Sequence, residues 1–63
     1  MEEQREKYKQ QSLMLCDRLL SELGRNKNEA SNFLGGDIYR AYIDTTDAAI
    51  SKVRRTRNKL RNL

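Results

Sequence analysis

Residues 52–61 hold six cations and no carboxylate: Lys52, Arg54, Arg55, Arg57, Lys59 and Arg61. Such a run has the chemistry to hold a phosphate backbone, or to lie on an acidic membrane or protein surface. Its placement favours something plainer. Read as a helix, the charges surround most of the circumference and spare mainly Val53, Thr56, Leu60 and Leu63. No aromatic residue follows Tyr42, so base stacking has no platform there. A solvated helix end, matched to its own dipole, is the favoured reading. Nucleic-acid contact through Lys52, Arg54, Arg55, Arg57, Lys59 and Arg61 is the rival.

The other chemistry-bearing residues lead less far. Gly35-Gly36-Asp37 precedes a helical stretch, and helix N-termini bind anions. Asp37 itself fills that position, and two glycines fall short of a nucleotide-binding fingerprint. Asp44 and Asp47 share a helix face but do not make a metal site. Cys16 is the lone cysteine and sits within an apolar stripe, where it acts as a small hydrophobe. Histidine is absent. No catalytic residues, metal ligands or cofactor follow from these patterns, and a non-enzymatic protein is expected.

Length sets the next bound. Sixty-three residues make one domain at most, 1–63. A chain of this size buries only about 60% of its unfolded surface, so its stability needs support. One cysteine and no histidine leave oligomerisation or a partner chain as the source. The longest apolar run, Leu13 to Cys16, is far short of a membrane span. The charged N-terminal residues are unlike a signal peptide, so a cytoplasmic protein is the default expectation.

Two elements must position these residues. From Glu2 to Leu23 nothing breaks a helix, and Leu13, Cys16, Leu20 and Leu23 follow a 3-4-3 spacing. Leu15 and Leu19 widen that stripe, and Tyr8 extends it. Gly24 stands where a helix end favours a left-handed residue, which predicts helix 1 over about 2–23. A loop over 24–36 follows, in which Asn28 is placed to cap a short helical turn. Asp37 is the expected N-cap of helix 2, over about 37–62. Tyr39, Tyr42, Thr46, Ala49, Val53, Thr56, Leu60 and Leu63 then repeat at alternating spacings of three and four, broadened by Ile43 and Ile50.

The fold class is therefore all-α: an antiparallel helical hairpin. Residues 1–51 carry seven basic and nine acidic side chains, and residues 52–63 carry six basic and none acidic. An antiparallel hairpin is expected to bring that basic end beside Glu2, Glu3 and Glu6. Both apolar stripes are wider than one facing helix covers. Completion as a four-helix bundle, by self-association or by another protein, is the expected remedy. The residues expected to meet that partner are Leu15, Leu19, Leu23, Tyr39, Tyr42, Ile43, Ile50 and Val53.

Phe33-Leu34-Gly35, between two helices and followed by an amphipathic one, resembles the Trp-x-Gly turn of the small ESX-type (WXG-type) helical hairpins and the helical partners of LXG toxins. Phe33 takes the aromatic position and Gly35 the glycine position, over residues 32 to about 60. The resemblance implies a four-helix bundle with a partner and a role in secretion targeting or as an adaptor. Phe stands in place of Trp, the expected first helix is short, and no Tyr-x-x-x-Asp/Glu signal follows the second. Residues and resemblance together point to a protein-interaction module: an adaptor, small chaperone or assembly subunit. The alternative is a dimeric helical nucleic-acid-binding regulator.

Overall fold

The computed structural model describes residues 2–63. They form two helices, α1 (Glu2–Ala30) and α2 (Gly36–Arg61), which pack against each other as an all-α antiparallel hairpin. The molecule is a rod of 50 × 15 × 11 Å. Among the described residues, no helix is long and apolar enough to cross a membrane.

α1 does not end near Leu23. It continues through Gly24 for another turn and a half and more, to Ala30. The reason lies in the seam between the helices. Cys16, Leu20, Leu23, Lys27, Ala30 and Leu34 continue one alternating 4-3 register across the glycine. Ala30 is buried, and Lys27 lays its stem along the seam while its Nζ donates to Asp47 Oδ1 at 2.7 Å. Those contacts outweigh the roughly 1 kcal/mol that a mid-helix glycine costs relative to alanine. Asn28 consequently lies inside α1 rather than capping a separate turn.

The loop shrinks to residues 31–35. The α1 terminus tightens through backbone bonds from Asn32 N to Glu29 O and from Phe33 N to Ala30 O, with Leu34 N also reaching Ala30 O at 2.8 Å. Ser31 Oγ donates to Asn28 O, so the last carbonyls of the helix find donors.

The paired glycines have different tasks. Gly36 takes the left-handed step, at φ 59°, which a side chain opposes. Gly35 is the N-cap in extended backbone, at φ −133°. Asp37 therefore stands in the first turn of α2, where it complements the dipole but makes no side-chain cap bond. This corrects its expected role as N-cap.

The glycines give the first testable prediction. A Cβ at Gly24 or Gly35 meets nothing within 4 Å, and Gly24 has no positive φ. Gly24→Ala should stabilise the protein by about 0.5–1 kcal/mol. Gly36→Ala should cost about 1–2 kcal/mol, whereas Gly35→Ala should be close to neutral. Urea melts of the three variants check the order. Loss of stability in Gly24→Ala would mean that α1 ends at the glycine after all.

Two ion pairs fix the register. Asp17 lies opposite Arg57 and Lys27 opposite Asp47, ten residues apart along each helix. In this register the basic end of α2 lies beside the middle of α1. Glu2, Glu3 and Glu6 make no ion pair with it among the described residues. Lys9 Nζ reaches the Leu63 carbonyl, so residues 2–8 have no α2 residue opposite them, and all are exposed. The expected pairing of the N-terminal glutamates with Arg54, Arg55, Arg57, Lys59 and Arg61 is replaced by the single pair Arg57–Asp17.

The interior is thin. Cys16, Ala30 and Thr46 are the buried residues, and no large side chain is fully buried among those described. Thr46 Oγ1 donates to Tyr42 O at 2.8 Å, which satisfies its hydroxyl within its own helix. The chain exposes 5433 Å². A compact protein of 7.4 kDa exposes about 4,200 Å². The hairpin therefore leaves roughly 1,200 Å² more in water than a compact fold would.

Candidate docking surface

Helical geometry divides the hairpin into two sides. At 100° per residue, positions seven apart share one line. Ile43, Ile50 and Arg57 form such a line on α2, and Arg57 Nη1 donates to Asp17 Oδ1 at 3.4 Å. This side is closed by the ion pair. Ile43 and Ile50 are half-buried along it. Arg57 is half-buried too, and its Nε is buried without a partner.

The other side is open. A groove runs between the helices there, lined by Ser12, Leu15, Cys16 and Leu19 of α1 and by Lys52, Val53, Thr56 and Leu60 of α2. Leu15 is 55% exposed and Leu19 39%. Thr56 was expected in the seam between the helices. It is exposed at the groove, with its hydroxyl bonded to Lys52 O, and Arg57 turns inward in its place. The shift of one position follows from helix geometry, since a seven-residue repeat drifts by about 20° per heptad on a straight helix.

The expected interface residues therefore separate. Leu15 and Leu19 project at the groove. Leu23, Tyr39, Tyr42 and Val53 are half-buried, with Val53 forming part of the groove wall. Ile43 and Ile50 lie on the far side. Their predicted joint use by one partner does not follow from this geometry, since the two isoleucines and the two leucines flank opposite sides of the hairpin.

The basic residues are likewise divided. Lys52 lines the groove and Arg57 pairs with Asp17. Arg54, Arg55, Lys59 and Arg61 are exposed and make no ion pair among the described residues. Asp47 is occupied by Lys27, and Asp44 is exposed. Cys16 is buried at the groove floor.

Five further apolar side chains stand exposed outside the groove: Tyr8, Met14, Phe33, Ile38 and Leu63. Met14 is 71% exposed on the outer face of α1. Phe33 and Ile38, at the loop end, are exposed as well. Ile38 lacked a signal in the sequence because it falls outside the two repeats, whereas Phe33 stood out only through the Phe33-Leu34-Gly35 turn. Comparison with protein-family models, with curated proteins and with solved structures finds no match.

Proposed function

We propose that the chain is a non-enzymatic protein-interaction module, an adaptor, small chaperone or assembly subunit, that docks through the groove side of its hairpin. The observation that carries this is the pair Leu15 and Leu19, large side chains left in water along an apolar groove. The surplus of exposed surface agrees with it, since a stable interface covers about 800 Å² per partner. The resemblance at Phe33-Leu34-Gly35 points the same way, toward a hairpin completed by a partner.

The test is photo-crosslinking in extract of the native host. A benzophenone amino acid at Leu19 should give discrete adducts, with another protein or with a second copy. The same group at Arg25, outside the groove, serves as the control. Equal labelling at the two positions would contradict the docking function.

Nucleic-acid binding by the basic end of α2 is the second reading. Its support is the set Arg54, Arg55, Lys59 and Arg61, which is exposed and without ion-pair partners among the described residues. If they grip phosphates, replacing Arg54, Arg55 and Arg61 by Gln should flatten the slope of log affinity against log salt by roughly two to three units. Arg57 is left intact because it holds Asp17. If the docking reading is right, the parent should bind duplex DNA and structured RNA no better than about 10⁻⁴–10⁻⁶ M at physiological salt.

A further inference from the structure

We infer that the groove is covered by a second copy of this chain, laid antiparallel on the first, so that two hairpins form one four-helix bundle about a two-fold axis near Leu19. The inference rests on the docking reading and names its partner.

Position is the first support. Cys16 is the middle residue of α1, and the groove extends to either side of it. A two-fold axis across the rod at Leu19, one turn from Cys16, sets groove on groove while the two 50 Å rods overlap along most of their length. Leu19 of each copy then meets Leu19 of the other across the axis, level with Thr56, and Leu15 lies level with the other copy's Leu23.

Charge selects the antiparallel arrangement. The open end of the hairpin, residues 1–18 and 54–63, carries nine basic and four acidic side chains, a net of +5. The loop end, residues 19–53, carries four basic and five acidic, a net of −1. Parallel copies would place +5 beside +5. Antiparallel copies place each strongly basic end beside a mildly acidic one.

The symmetry also fixes which helices meet. A two-fold axis across the rod lays α1 on the other copy's α1 and α2 on its α2. With the axis at Leu19, α1 residues whose numbers sum to 38 lie level, which brings Lys9 beside Glu29 of the other copy. A parallel pair, about an axis along the rod, would instead lay α2 on the other copy's α1. The ion-pair register puts residue 52 level with residue 22, so that arrangement would bring Lys52 beside Glu22 of the other copy.

Area is the third support. The hairpin exposes about 1,200 Å² beyond the compact expectation, comparable to the roughly 800 Å² per chain of a standard interface. A second hairpin of equal length is long enough to cover it.

The unaltered protein can be tested by zero-length carbodiimide crosslinking of an equal mixture of ¹⁴N- and ¹⁵N-labelled chains. Links that carry both isotopes join separate molecules. The expected result is a mixed-isotope Lys9–Glu29 link, reduced at least tenfold in the Leu15→Glu, Leu19→Glu double variant. Sedimentation of the same samples should give twice the chain mass for the parent. Mixed links from Lys52 to Glu22 would overturn the antiparallel arrangement. Absence of mixed links together with a monomer mass would overturn the second copy as occupant. If that monomer still gives host-protein adducts at Leu19, the docking reading stands and only this inference fails. If it gives none, both fail.

Discussion

Glutamate at both Leu15 and Leu19 is expected to abolish association and to leave the chain with the helix content of the diluted parent. Both residues lie on the groove side and are already exposed in the single chain, at 55% and 39%. Their replacement therefore costs the hairpin little by itself. In the assembled state each leucine would be covered, and a fully buried leucine contributes about 1.5–3 kcal/mol. Two copies bring four such side chains, and the replacement carboxylates would oppose one another. The dissociation constant should rise roughly a thousandfold or more, at about 1.4 kcal/mol per factor of ten. Met14→Glu is the matched control. Met14 is the neighbour of Leu15 and more exposed, at 71%, but it faces away from the groove. It should change nothing in light scattering at micromolar concentration. Equal loss in both variants would mean that charge alone, and not the groove, governs assembly.

Cys16→Asp should unfold the protein at neutral pH. Cys16 is 7% exposed and sits between the helices near Val53 and Leu60. A carboxylate there has water on almost no side. An uncompensated buried charge costs about 3–5 kcal/mol, a large share of the stability of any small domain. Circular dichroism should show most of the helical signal gone at pH 7, with Cys16→Ala largely helical. The pH dependence has a definite sign. Desolvation would raise the folded-state pKa of the new aspartate above its unfolded value of about 3.9. The penalty is then absent below about pH 4 and grows as pH rises toward the folded value. Relative to the parent at the same pH, the variant should regain helix on acidification. A variant as helical as the parent at pH 7 would show that position 16 is not enclosed.

The hairpin was legible in the sequence because both seams repeat at helical spacing. In α2 the repeat ran almost unbroken, and the helix occupies nearly the expected residues, Gly36–Arg61. In α1 two residues hid the true end. Gly24 looked like a terminator, and Lys27 stood in the apolar register as a charge. Neither local feature could announce that Asp47, twenty residues on, would receive that lysine. The displaced seam position has a similar cause. Thr56 fits the repeat by spacing, but the repeat drifts round a straight helix by about 20° per heptad, and Arg57 turns inward to Asp17. The N-terminal glutamates missed the basic tail because register, which depends on loop length, sets who faces whom. The groove itself was half visible. Leu15 and Leu19 were recognisable as surplus to one facing helix, yet their separation from Ile43 and Ile50 requires knowing which way each helix is turned.

The measurement that bears most directly on the docking face is sedimentation equilibrium of the parent chain alongside circular dichroism over a range of micromolar concentrations. With so little fully enclosed and Leu15 and Leu19 in water, the hairpin should reach its full helical signal only as its mass rises to that of two chains or more. Dilution should lower mass and helix content together. A fully helical 7.4 kDa monomer, unchanged on dilution, would contradict the second copy as the occupant of the groove.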